Sequence, residues 1–192
     1  MPCVAGASEA RDHKQMSHQR LFEGYVQIYT GDGKGKTTAA LGLALRAAGY
    51  GMHTYIGQFM KGRPYGELEA LGDHPCITIE QYGDVHCIHR EEITSEHVAR
   101  AHCGLERARE AMHSGRYDLV VLDEVNVVLW FELIGVEEVL ALLDDRPPNV
   151  EVILTGRRAP QQLIDRADLV TEMQEVKHYY QQGVMARQGI EW

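Results

Sequence analysis

The residues best placed to do chemistry lie in the stretch TGDGKGKTT, Thr30 to Thr38. It nearly matches the phosphate-binding pattern G-x-x-x-x-G-K-[ST], but Thr30 stands in the first glycine slot. Gly31, Gly33 and Gly35 let the backbone curl so that successive N–H groups form an anion nest. Lys36 adds a mobile positive charge, and the Thr37 hydroxyl is placed to ligate Mg²⁺. Asp32, Lys34 and Thr38 complete the loop. A second cluster is Asp123–Glu124, which closes the apolar run Leu119–Leu122. A carboxylate at such a strand end holds Mg²⁺ directly or through water. The same pair also suits a helix N-terminus, and the sequence does not choose between the two carboxylates. Arg157 and Arg158 follow LTG, where an arginine either clamps phosphate, as read for Arg157, or sits in solvent as a surface charge.

These groups work only if strands and helices bring them together. YVQIYT (25–30) is rich in β-formers and runs directly into the glycine loop. TTAALGLALRAAG (37–49) reads as a helix with Gly49 as its stop. HTYIGQF (53–59) and CITIEQY (76–82) read as the second and third strands. Val98, Ala101, Leu105, Ala108 and Met112 form one helical face, ended by Gly115. YDLVVLDE (117–124) and VEVILTG (150–156) are further strands. A helix over 135–144 separates them and stops at RPPN, and Pro160 suits the first turn of another helix. DLVTEMQEV leads into the C-terminal tail. This alternation predicts a mostly parallel sheet covered on both faces. Such sheets bind ligands beyond the carboxyl ends of their strands, so the loop, Asp123–Glu124 and Arg157 should converge.

Composition narrows the rest. The chain has 192 residues, with 44% hydrophobic and 24% charged, enough for one domain with a full core. Residues 1–22 are polar, without apolar periodicity, and read as a flexible leader before one domain over 23–192. A net charge of −9 argues against nucleic acid as a partner. No apolar run approaches a membrane span and no signal-like core opens the chain, so a cytoplasmic location is expected. The four cysteines form no C-x-x-C pair. HCIH, His86 to His89, fits no standard zinc spacing and reads as solvated loop residues near a ligand pocket.

Beyond these motifs, the sequence resembles the ATP:corrinoid adenosyltransferase family that uses a modified phosphate loop. The resemblance runs from about Gly24 to Trp192. It rests on YTGDGKGKTTAALGLALRAAG, on QFMKG (58–62) followed by GE (66–67), and on VVLDEVN (120–126). LTGRRAPQQLIDRADLVTEM and the ending VKHYYQQGVMARQGIEW complete it. The resemblance implies a three-layer α/β fold, P-loop NTPase-like (RecA-like), with a mostly parallel central sheet. It also implies transfer of the 5′-deoxyadenosyl group of MgATP to Co(I) of a reduced corrinoid, cobalamin or a precursor, with release of triphosphate. No general base is required, because Co(I) carries no proton to remove.

Carried over by position, Gly31 through Thr38 bind the triphosphate, with Lys36 and Thr37 central to catalysis. Glu124 takes the Mg²⁺ role with Asp123 close behind, and Lys61 faces the site. Lys177 and His178 match the family's VKH. A homodimer and a reduced-flavin or flavodoxin electron donor are further implications. One departure is the loop Gly83–His89, where some members place aromatic residues that displace the corrinoid's lower ligand. Here the nearby aromatic is Tyr82, and Val85 or His86 would have to substitute. An ordinary ATPase or small-molecule kinase on the same fold is the rival reading. A third is a module that senses ATP or delivers corrinoid without turnover.

Overall fold

The computed structural model describes residues 21, 23–86 and 88–191. The expected leader falls almost wholly outside them, as do Cys87 and Trp192. Six strands form one sheet: β1 (Val26–Thr30), β2 (Thr54–Phe59), β3 (Ile77–Tyr82), β4 (Leu119–Asp123), β5 (Glu151–Thr155) and β6 (Leu169–Glu172). Their spatial order is β3-β2-β4-β5-β1-β6, and every pairing is parallel. Parallel neighbours need crossovers, which α1 (Lys36–Ala48), α2 (Gly66–Leu71), α3 (Ser95–His113), α4 (Val125–Trp130), α5 (Val136–Asp144) and α6 (Gln161–Arg166) supply.

The central strands β2, β4 and β5 are buried along their whole length. This explains the apolar runs Leu119–Leu122 of β4 and Val152–Leu154 of β5, because helices cover both faces. One face packs Val26, Ile28, Val120, Leu122, Val152 and Leu154 under α3, α4 and α5. The opposite face packs Ile56, Val121 and Ile153 against Ala40, Ala44 and Ala47 of α1, with Leu21 against the margin of that cluster. The alanines let α1 lie close to the sheet, which brings its N-terminus and the glycine loop over the strand ends.

The strands expected from the sequence agree with those formed to within two residues at each end. Gly49 caps α1 but keeps right-handed geometry, and the left-handed turn comes at Gly51 instead. DLVTEMQEV differs more. Leu169–Glu172 pairs with β1 in register from Gln27–Leu169 to Thr30–Glu172, adding a sixth strand. All four of its residues are exposed, so no burial pattern marked it in sequence.

Candidate functional site

The carboxyl ends of β1, β2, β4 and β5 surround a cavity of 610 Å³. Gly33 to Thr38 form its floor, and Lys61, Tyr65, Glu67, Glu124 and Arg157 line its sides. The three groups expected to converge do so.

The loop is shaped by what crosses it. Gly31 has φ 92°, and a Cβ there would lie 2.4 Å from the Met173 carbonyl oxygen. Gly33 would meet the same carbonyl at 2.7 Å. These glycines therefore admit the chain leaving β6 as well as curling the loop. The Gly33 N–H donates to Met173 O at 2.6 Å, so this amide faces the tail and not the cavity. Thr30, in the displaced glycine slot, is buried, and its hydroxyl accepts from the Ala159 N–H at 3.2 Å. A glycine there would leave that N–H without this partner.

Lys36 Nζ donates to the carbonyls of Gly31 and Gly33 at 2.8 and 2.7 Å. The lysine thus braces the curled loop, and burial lowers its pKa against the opposing pull of Glu124.

Asp123 is 1% exposed and fully engaged. Its Oδ1 accepts from Thr37 at 2.8 Å and from Thr155 at 2.6 Å. Its Oδ2 accepts from Lys61 at 2.8 Å and from Gln58 at 3.3 Å. Those contacts fill the lone-pair directions of a carboxylate. Glu124, one residue later, is left-handed at φ 65° and turns to the cavity. Its N–H donates to Thr155 Oγ1 at 2.9 Å, which fixes this strained turn. Burial raises the Glu124 pKa, and the neighbouring Asp123 charge adds to the rise, while Lys61, Lys36 and Arg157 oppose it. The strand end thus separates a saturated carboxylate from an open one.

Lys61 also lies 3.2 Å from Thr37 Oγ1 and 3.8 Å from Glu67. Burial works against its charge, but Asp123 outweighs this and raises its pKa, so it is an ammonium at neutral pH. Arg157 reaches the cavity and stands 3.9 Å from Asp32, largely exposed. Arg158 instead stacks 4.0 Å over the Trp130 ring. His178 lines the cavity. His86 and His89 are exposed and line no part of it. Tyr82 is engaged elsewhere: its hydroxyl meets Tyr55 at 2.7 Å and also bonds Glu80, which pairs with Arg107 at 3.1 Å.

Sequence reading gave no site role to Gln58 or Thr155, nor to the cavity residues Tyr65, Gly189, Ile190 and Glu191, although the last three lie in the ending that carries the family resemblance. Thr155 had a signal in retrospect: it occupies the end of β5, one strand over from Asp123. Gln58 had another, being polar inside an otherwise apolar strand.

Asp123, expected as a further metal ligand, is saturated by its own hydrogen bonds and backs Thr37 instead. Thr37 and Glu124 present hard oxygen donors to the cavity beside a cationic loop. That set suits Mg²⁺, which takes one or two carboxylates and completes its shell with phosphate and water. Among the described residues no helix is long and apolar enough to cross a membrane.

Comparison with known proteins agrees with this geometry. The family model described as ATP:corrinoid adenosyltransferase BtuR/CobO/CobP matches residues 22–192. A corrinoid adenosyltransferase of Sinorhizobium sp. is 37% identical, covering 96% of this chain and 87% of its own. The corrinoid adenosyltransferase CobA of Salmonella typhimurium is 34% identical, covering 88% and 86%. One from Pseudomonas aeruginosa is 32% identical, covering 93% and 89%. With a match across nearly its whole length, this chain belongs to the ATP:corrinoid adenosyltransferase family and is a transferase.

Proposed function

We propose that this enzyme transfers the 5′-deoxyadenosyl group of MgATP to Co(I) of a reduced corrinoid. The observation that carries the proposal is the cavity over Gly33–Thr38, walled by Lys34, Lys36, Lys61 and Arg157. Its charge and its size suit a triphosphate. The lone pair on Co(I) attacks C5′ of the ribose, the C5′–O5′ bond breaks, and its electrons leave with the triphosphate. No proton moves at the reacting carbon.

The protein's part is to stabilise charge growing on the departing oxygen and to hold the line of attack. Lys36 would exchange its bonds to the Gly31 and Gly33 carbonyls for phosphate oxygens. The N–H groups from Lys34 to Thr38 and the N-terminus of α1 favour the anion further. Thr37 and Glu124 would hold Mg²⁺, with Asp123 orienting Thr37 from behind. When bound, the metal supplies Lewis-acid neutralisation of the triphosphate. Lys61 would neutralise Asp123 and remain near the phosphates. The whole activity would reside in one domain over 23–192, acting in the cytoplasm as a homodimer. A reduced flavin or flavodoxin would maintain the cobalt as Co(I).

A second reading, ATP hydrolysis, is favoured by one observation. Glu124 is half-buried, opens to the cavity and has a pKa raised by desolvation, as a water-activating base would. Product analysis decides between them. With MgATP and chemically reduced corrinoid, phosphorus NMR should show tripolyphosphate forming in step with an alkylated corrinoid. Accumulation of ADP and phosphate would overturn the proposal. Lys36→Ala should lower turnover at least about a hundredfold, as expected for losing a charge-stabilising group.

A further inference from the structure

The segment 174–191 returns to the loop that it leaves. At its root, Met173 N–H donates to Thr30 O at 2.8 Å and Gly33 N–H donates to Met173 O. At its tip, Lys34 Nζ donates to the Ile190 carbonyl at 2.7 Å and lies 3.4 Å from Glu191 Oε1. Between these ties, His178, Gly189, Ile190 and Glu191 line the same cavity as Lys36 and Thr37.

Glu191 is where the tip is knotted. It accepts from the Tyr179 hydroxyl, from the Arg187 backbone N–H at 2.8 Å, and from the Arg187 guanidinium at 3.3 Å. Arg187 also lies 4.8 Å over the Tyr179 ring. The Tyr179 hydrogen bond, then Arg187, holds the Glu191 carboxyl down at about 2, so it is ionised throughout the neutral range. A lysine at the tip of a glycine loop is ordinarily a solvated, mobile charge. Here the Lys34 ammonium is held at the cavity wall. It carries three donors, so the bonds to Ile190 and Glu191 leave capacity for a phosphate oxygen.

Resting on the reading that this cavity holds the triphosphate, we infer that Glu191 is a positioning residue for Lys34. The segment 174–191 is then a wall of the nucleotide site, closed through that lysine. Charge alone argues for the opposite effect. A carboxylate near a polyanion repels it, so removing Glu191 would tighten binding if its charge were all that mattered.

The test is calorimetric titration of the full chain with inorganic tripolyphosphate, and separately with MgATP, at fixed ionic strength. Binding is read without turnover, so the identity of the reaction products does not enter. Glu191→Ala should weaken both ligands about three- to tenfold, the range for losing one ordinary hydrogen bond at a half-exposed site. In a Lys34→Met background the same change should cause no further loss. Unchanged or tighter binding by Glu191→Ala overturns the inference, as does an equal loss in the Lys34→Met background. If the unaltered chain binds neither ligand, the nucleotide reading itself falls and takes the inference with it. Should Glu191→Ala not fold, Lys34→Met carries the test. Limited proteolysis should then cut 174–191 faster in Lys34→Met than in the unaltered chain, and equal rates overturn the inference.

Discussion

Lys61→Met probes the charge balance on which the whole site rests. Lys61 is 13% exposed and Asp123 1%, and their charged atoms are 2.8 Å apart. At an effective dielectric of about 20 that separation gives an attraction of about 6 kcal/mol. Burying an ammonium offsets several kcal/mol of it. Methionine keeps the aliphatic stem but leaves Asp123 ionised, buried and one donor short. The net loss should be about 3 kcal/mol, the lower end of what breaking a buried pair costs. For a chain of this length that lowers the melting temperature by about 6–12 °C. Urea denaturation should show a lower midpoint with an unchanged slope, because the surface exposed on unfolding is the same. Repeating the substitution in an Asp123→Asn background isolates the pair, and there it should cost less than about 1 kcal/mol. A loss below about 1 kcal/mol in the single variant would refute the reasoning. So would the same loss in both backgrounds.

Three further outcomes follow from other contacts. Gly31→Ala places a Cβ 2.4 Å from the Met173 carbonyl at φ 92° and should destabilise the fold by about 2–4 kcal/mol in the same denaturation assay. Unchanged stability would mean that the chain after β6 does not lie on the loop. Thr155→Val removes the donor to Asp123 and the acceptor for the Glu124 N–H, so about 1–3 kcal/mol should be lost, with weaker MgATP binding by calorimetry. Glu80 gives a pH test: burial opposes its charge, but Arg107, Tyr82 and Tyr55 outweigh it and bring its pKa to about 2. A depressed carboxyl contributes stability that is present above its ordinary pKa and lost as pH falls toward 2. Glu80→Gln should therefore flatten the fall in melting temperature between about pH 5 and pH 2, and an unaltered pH profile would count against this network.

Much of this molecule follows from local sequence, for an identifiable reason. In a parallel sheet the central strands are buried on both faces, so Leu119–Leu122 and Val152–Leu154 announce themselves as continuous apolar runs. The glycine loop between a strand and an alanine-rich helix fixes where an anion can sit, because curled backbone and a helix N-terminus need only neighbouring residues. What was not legible lacked such local marks. β6 is four residues long and exposed throughout, with neither alternation nor burial to give it away. α2 and α4 have six residues each, too short for a 3.6-residue period to show.

Within the site, sequence by itself placed Lys36, Thr37, Asp123, Glu124 and Arg157 at the ends of strands. Only the tertiary structure decided what each can do there. Adjacent carboxylates have identical chemistry until Thr155, Gln58 and Lys61 arrive from other strands and their exits. They saturate Asp123, while the left-handed turn leaves Glu124 open to the cavity. Likewise Lys34 and Ile190 are 156 positions apart, and no local pattern encodes their contact. Periodicity records which face of an element is buried. Which donor meets which acceptor depends on how the separate elements pack.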